Sequence, residues 1–200
     1  MTAPDAYIFV IQVYVPCKNH PMSVYNGYLE ELENIAFKYN DKGTLIILGD
    51  FNTELPSERC INTILGSRGA QLLDIANRHN LKSLNTMSFC QGSKFSNVPF
   101  NTNRETLIDH IFVSKMALDC FTYCEILEDH ATNVSTHRPI ICKLSIPKNS
   151  EVLRLALELP IVSTSDIDNL YSGIAVIINL ATDLFIPRVK FKPHIKPYWN

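Results

Sequence analysis

The chain has 200 residues, of which 46% are hydrophobic and 19% are charged, and its formal net charge is −2. This length and composition exclude a disordered chain and allow one well-buried domain, or one domain with an appendage. A protein that grips nucleic acid through many phosphates is usually basic overall, so any such contact here has to use a local patch or a bound metal.

The N-terminus and the cysteines indicate where the protein works. Residues 1–5 contain no basic residue, and the apolar stretch that follows alternates like a strand, so we expect no secretory signal. No segment reaches the roughly 18 consecutive apolar residues of a membrane span, so we expect no membrane partner. The six cysteines are scattered. A zinc site at Cys120 and Cys124 is one interpretation, but reduced thiols in an intracellular protein, nuclear or cytoplasmic, are the expected one.

Hydrophobic periodicity predicts alternating strands and helices over the first part of the chain. Strands are predicted at 6–15, 44–48, 81–84, 107–113, 121–126 and 140–146. Amphipathic helices are predicted at 23–39 and 70–79. This order is typical of a layered α/β unit in which helices pack against sheets.

The composition changes after Pro147. The residue pattern then predicts helices at 151–159 and 166–185. A basic, Pro-rich tail follows at 188–200. The sequence therefore predicts two parts, an α/β domain over 1–147 and a helical linker with a basic tail over 148–200.

The most informative stretch is LIILGDFN at 45–52. An apolar run that ends at glycine is typical of a buried strand, and residues two apart point to the same side of an extended chain. Asp50 and Asn52 can therefore project into one site, where a carboxylate beside a carboxamide offers a base or metal ligand next to a neutral donor. The alternative is an ordinary turn, because Gly, Asp and Asn all favour turns.

Three further residues lie at predicted strand ends or inside a strand. Tyr14 ends the first strand, and His137 lies just before the last one. Asp109 is flanked by apolar residues, and a lone buried carboxylate is costly, so it needs a partner. Pairing it with His137 would fix the imidazole tautomer and raise its basicity. The alternative is that Asp109 caps a turn and His137 is an ordinary surface residue.

Taken in order, these motifs resemble the endonuclease/exonuclease/phosphatase superfamily. The shared motifs are YVP at 14–16, GDFN at 49–52, IDHIF at 108–112 and STH at 135–137. Within the superfamily they resemble the apurinic-endonuclease-like endonuclease domain of non-LTR (LINE-type) retrotransposons. The resemblance extends over residues 6–147, and the basic tail resembles the connector that leads from such a domain toward a reverse transcriptase.

The resemblance implies a two-sheet sandwich flanked by helices and divalent-metal-dependent phosphodiester hydrolysis of DNA, with Mg²⁺ or Mn²⁺ as cofactor. His137 would act on the attacking water or the scissile phosphate while Asp109 holds it. Asp50 would orient or deprotonate the water and bind the metal. Asn52 would place the phosphate, and Tyr14 would contact it.

The chain also departs from the superfamily pattern. Thr136 stands where the pattern has an Asp, and the superfamily's earlier metal-binding Glu has no counterpart. We therefore expect an incomplete sandwich and a truncated, impaired endonuclease that works with a missing N-terminal half or a reverse transcriptase region. The alternatives are a non-catalytic retroelement remnant or interaction module, and a phosphatase of small phosphoesters.

Overall fold

The computed structural model describes residues 6–60, 63–100, 104–128 and 135–145, and the backbones of two later strands. Its two α-helices are α1 (Met22–Tyr39) and α2 (Ser67–Arg78). Its strands are β1 (Ala6–Tyr14), β2 (Thr44–Asp50), β3 (Leu81–Ser83), β4 (Gln91–Gly92), β5 (Asp109–Ser114), β6 (Phe121–Ile126), β7 (Ile140–Leu144), β8 (Leu153–Glu158) and β9 (Ile177–Leu180). Among the described residues, no helix is long and apolar enough to cross a bilayer.

The strands form two sheets. The first has the order β3-β5-β2-β1-β8 and the second the order β4-β6-β7-β9. Strands β1 and β2 run parallel, which α1 makes possible as the crossover between them, whereas β5 runs antiparallel to β2. The end of β2 and the beginning of β5 consequently meet at the same edge of the first sheet.

Two apolar cores follow from the alternation of side chains along the strands. Ile46 and Leu48 of β2 pack with Ile111 of β5 in the core between the two sheets. Leu45 and Ile47 point the other way, into a core under the helices. Helix α1 contributes Tyr25, Leu29, Leu32, Ala36 and Tyr39 to that second core. This arrangement confirms the predicted two-sheet sandwich flanked by helices.

The helices predicted in the C-terminal part are wrong where the structure describes it. Strand β8 falls inside 151–159 and pairs in parallel with β1, and β9 falls inside 166–185 and pairs with β7. In the sequence LRLALE of β8, leucine recurs at every second position, which is the period of a strand. Pairing with β8 also covers the exposed edge of β1. The Pro-rich tail and the rest of 148–200 lie outside the described residues.

Candidate active site

Two aspartates and a histidine come together at the edge of the sandwich. Asp50 ends β2, Asp109 begins β5, and the two are paired directly across the strands. Both share the face of Leu48 and Ile111, so their side chains point between the two sheets. His137, which lies just before β7, completes the group: ligand atoms of the three residues all lie within 4.8 Å of one another.

Asp109 and His137 form the predicted pair. Asp109 is 1% exposed, and its two carboxylate oxygens lie 2.9 Å and 3.1 Å from His137 Nδ1. Burial lowers the pKa of His137, but the hydrogen bond with Asp109 and the charges of both aspartates outweigh burial and raise it overall. Because Nδ1 donates to Asp109, a reaction at His137 runs through the other ring nitrogen, Nε2.

The carboxyl group of Asp50 exchanges a proton near neutral pH. Its burial, and then the negative charge of Asp109, raise its pKa to about 7. Asn52 opposes this shift by donating from its backbone N at 2.7 Å and from its side-chain Nδ2 at 3.0 Å. A buried carboxyl group with this pKa suits general base catalysis, because it can accept a proton and release it at working pH.

Asn52 connects the site to the end of β1. Its backbone has φ 50°, a left-handed conformation that asparagine tolerates better than most residues. This turn aims Nδ2 at the carbonyl oxygen of Val15 at 2.9 Å as well as at Asp50. Val15 N in turn donates to Asp50 O at 2.8 Å. The GDFN stretch therefore does form a turn, and this turn places the side-chain amide of Asn52 beside Asp50.

Tyr14 and Thr136 lie next to this group. Tyr14 is half-buried at the end of β1, directly opposite Asp50 in the parallel register. Thr136 is half-buried beside His137, and its carbonyl oxygen accepts a hydrogen bond from Val98 N at 2.7 Å. The structure therefore brings together Asp50, Asn52, Asp109 and His137, and places Tyr14 at the neighbouring register position.

Two buried polar residues that the sequence did not single out hold Asp109 in place. Asn85 donates from Nδ2 to Asp109 O at 2.8 Å, and its Oδ1 accepts from Ile111 N at 3.0 Å. Ser96 Oγ accepts from Asp109 N at 3.1 Å, while its carbonyl oxygen accepts from Arg138 N at 2.7 Å. Ser96 thus ties the strand of Asp109 to the residue that follows His137. Both residues lie in polar stretches without periodicity, which gave no signal.

Arg68 supports the segment that follows Tyr14. It is 8% exposed, and its guanidinium donates to Pro16 O at 2.8 Å and to His20 O at 2.6 Å. It also lies 4.7 Å from the ring centroid of Tyr25, a cation–π distance. A buried arginine that bonds two carbonyl groups fixes the loop after β1. No motif in the sequence singles out this residue.

The raised pKa of Asp50 predicts a pH-dependent stability in the absence of divalent metal. A carboxyl whose folded pKa lies above its unfolded value stabilises the fold at low pH, and this contribution is lost as the pH rises toward 7. Between about pH 5 and about pH 8 the wild type should lose on the order of 2–4 kcal/mol relative to Asp50→Asn. Urea denaturation in chelator at both pH values measures the difference.

The control for that prediction is Asp41→Asn. Asp41 is an exposed carboxylate at the turn before β2, so its removal should leave the wild-type pH dependence intact. Equal slopes of stability against pH in the wild type and Asp50→Asn would contradict the raised pKa.

Comparisons with known proteins agree with this fold. The sequence pattern of a family described as endonuclease-reverse transcriptase matches residues 8–141, well over half of the chain. This match, over a chain that folds as a two-sheet sandwich, makes the chain a member of the endonuclease/exonuclease/phosphatase superfamily. Within this superfamily, the chain belongs to the endonuclease-reverse transcriptase family. No protein with a curated function matches the sequence.

The similar solved structures include three structures of two nucleic-acid enzymes. The endonuclease domain of TRAS1, a telomere-specific non-LTR retrotransposon, has a TM-score of 0.45 and 22% identity, over 62% of this chain and 50% of that one. The 3′–5′ exonuclease NExo from Neisseria meningitidis has a TM-score of 0.49 and 19% identity, over 64% and 58%.

The third is a structure of the 3′ phosphatase NExo from Neisseria bound to a product DNA hairpin. Its TM-score is 0.52 and its identity 20%, over 64% of this chain and 58% of that chain. At this identity the match supports the fold alone. The chain thus spans between 50% and 58% of the length of the solved chains that it matches.

Proposed function

We propose that this chain carries the catalytic edge of a divalent-metal-dependent DNA endonuclease of the retrotransposon type. The observation that carries the proposal is the His137–Asp109 pair, 2.9 Å apart, with Asp50 within 4.8 Å of both. Membership of the endonuclease-reverse transcriptase family supports DNA as the substrate and a reverse transcriptase region as the partner. Such an enzyme would work inside the cell, in the nucleus or the cytoplasm.

The proposed roles follow from the hydrogen bonds of each residue. Asp109 holds the imidazole of His137 through Nδ1, so that Nε2 acts on the attacking water or on the scissile phosphate. Asp50 orients the water and takes its proton. Asn52 places the phosphate through its side-chain amide, and Tyr14 contacts the phosphate from the end of β1.

The residues present fit a hard divalent cation such as Mg²⁺ or Mn²⁺. Asp50 and Asp109 offer carboxylate oxygens and His137 a ring nitrogen, and oxygen ligands are those that Mg²⁺ prefers. Asp50 is the residue we assign to the metal, because Asp109 is already engaged by His137. When bound, the cation neutralises charge that develops on the phosphate.

We also propose that this site binds the cation less tightly than a site that matches the full superfamily pattern. Thr136 keeps a hydroxyl group beside His137 but lacks the charge of the Asp in the superfamily pattern. The cluster of Asp50, Asp109 and His137 is the one potential metal cluster among the described residues. A site with two carboxylates, one of them paired to histidine, holds a cation less tightly than a site with three.

Restoring the carboxylate should therefore increase activity. We expect Thr136→Asp to raise the rate of DNA cleavage by about 10- to 100-fold, because the new carboxylate lies beside His137 and adds charge that attracts the cation. The control is Thr136→Asn, which has nearly the same shape without the charge and should give no gain. Equal cleavage rates for the Asp and Asn variants would show that the missing charge at Thr136 does not weaken the site.

The function itself is tested with two labelled DNA substrates in Mg²⁺ or Mn²⁺. An internally labelled duplex reports cleavage of a phosphodiester, and a duplex that carries a 3′ phosphate reports hydrolysis of a monoester. The proposal predicts internal cuts that need the cation. Phosphate release without internal cuts would favour a phosphatase, and no reaction with either substrate, even by Thr136→Asp, would favour a non-catalytic interaction module.

A further inference from the structure

Three cysteines lie side by side in the core between the sheets. Strands β4 and β6 pair in parallel through Gln91 and Glu125, so the preceding residues, Cys90 and Cys124, are neighbours. Cys124 in turn lies directly opposite Cys142 of β7. All three cysteines are buried free thiols. The proposed phosphodiesterase chemistry uses none of them.

Cys90 differs from the other two because a cation contacts its sulfur. Arg59 donates from Nη1 to Cys90 Sγ at 3.4 Å and from Nη2 to Gly92 O at 2.7 Å, which fixes the guanidinium beside the thiol. Cys90 Sγ itself donates a hydrogen bond to Gln91 O at 3.6 Å. The neighbouring Cys124 thiol, and then the charge of Arg59, lower the pKa of Cys90 although burial opposes them.

We propose that Cys90 and Cys124 form a reversible disulfide when the protein meets a two-electron oxidant such as hydrogen peroxide. Cys90 reacts first, because it is 4% exposed whereas Cys124 is fully buried, and because the adjacent guanidinium stabilises its thiolate. Cys124, its neighbour in the register of β4 and β6, then resolves the oxidised sulfur. This inference does not depend on the proposed nuclease function.

The reaction balances with peroxide as the only added reagent. The Cys90 thiolate attacks one peroxide oxygen, the O–O bond breaks, and a sulfenic acid forms while hydroxide leaves and takes up a proton as water. The sulfur of Cys124 attacks the Cys90 sulfur, so that the S–S bond forms and the S–O bond breaks. The hydroxyl group leaves with the Cys124 proton as a second water. Two thiols are oxidised and one peroxide is reduced.

Cys142 is a less suitable partner although it faces Cys124 across the strands. Burial raises the pKa of Cys142 to about 12, so it stays a thiol at working pH. The thiolate is the reactive form, and the contact with Arg59 favours that form at Cys90. The contact of Arg59 with the sulfur of Cys90 therefore favours Cys90–Cys124 over Cys124–Cys142.

The test is to oxidise the full chain with hydrogen peroxide, block the remaining thiols, digest with trypsin and identify linked peptides by mass. The proposal predicts a link between the peptides 83–94 and 116–143 that dithiothreitol reverses. The second peptide contains Cys120, Cys124 and Cys142, so single serine variants assign the link. The link should persist in the variants Cys120→Ser and Cys142→Ser and disappear in Cys124→Ser. A link that persists in Cys124→Ser, or no link at all, overturns the proposal.

A second measurement tests the role of the cation. Removing the guanidinium in Arg59→Gln should slow alkylation of Cys90 near neutral pH by about fivefold to tenfold, because less of the sulfur is thiolate. The matched control is Arg104→Gln, which removes an exposed arginine paired with Glu54 and should leave the rate unchanged. Equal alkylation rates in Arg59→Gln and the wild type would contradict the activation of Cys90 by Arg59.

Discussion

Replacing Gly49 with alanine should unfold the catalytic edge of the sandwich. Gly49 lies in β2 just before Asp50 with φ +147°, a conformation that residues with a side chain rarely adopt. A Cβ atom at this position would lie 1.8 Å from the carbonyl oxygen of Val13 in the neighbouring strand. Because that atom is backbone, β1 and β2 would have to move apart. We expect a loss of about 3–5 kcal/mol in the free energy of unfolding, measured by urea denaturation.

The matched control is Gly27→Ala. Gly27 lies within α1, and a Cβ atom there meets nothing within 4 Å. Alanine in a helix interior is favoured over glycine by about 0.5–1 kcal/mol, so this variant should be slightly more stable than the wild type. If Gly49→Ala and Gly27→Ala shift the urea midpoint in the same direction, the close approach of β1 and β2 at Gly49 is not what the fold depends on.

The largest effect on activity is expected for His137→Ala. If His137 acts on the water or the phosphate while Asp109 holds it, its loss should lower the turnover rate for DNA cleavage by about 10²- to 10⁴-fold. The effect should fall on kcat rather than on KM, since the ring acts on the reacting group and not on the rest of the substrate. Initial rates on a labelled duplex over a range of DNA concentrations separate the two constants.

His20→Ala is the control for that experiment. His20 has an exposed side chain, and Arg68 contacts its carbonyl oxygen, which alanine also provides. This variant should cleave at the wild-type rate. Equal activity of His137→Ala and His20→Ala would mean that the aspartate–histidine pair is not catalytic, whatever the chain does.

The placement of the polar residues at the strand ends could be predicted because it follows from local pattern. The apolar run of β2 ending at Gly49 predicted a buried strand that delivers Asp50, and the apolar neighbours of Asp109 predicted that its carboxylate needs a partner. His137 proved to be that partner at 2.9 Å. For Asp50 the deciding signal was the apolar run before it, and for Asp109 it was the cost of burying a lone carboxylate.

The residues that the sequence did not single out act on backbone groups far along the chain. Asn85 supports Asp109, Ser96 ties it to the segment of His137, and Arg68 fixes the loop after Tyr14. Their partners are carbonyl and amide groups, which no side-chain motif identifies. The helices predicted after residue 147 are wrong for a different reason. The leucines of β8 already recur with the two-residue period of a strand, and the open edge of β1 supplies the partner with which that strand pairs.

The most direct test of the proposed catalytic site is whether the unmodified chain nicks supercoiled plasmid DNA with Mg²⁺ or Mn²⁺. The predicted result is slow conversion to open circles that stops in chelator and that Asp50→Asn abolishes, because Asp50 is assigned to both the metal and the water. Nicking that continues in chelator, or that Asp50→Asn leaves unchanged, would contradict a metal-dependent phosphodiesterase centre built on Asp50, Asp109 and His137.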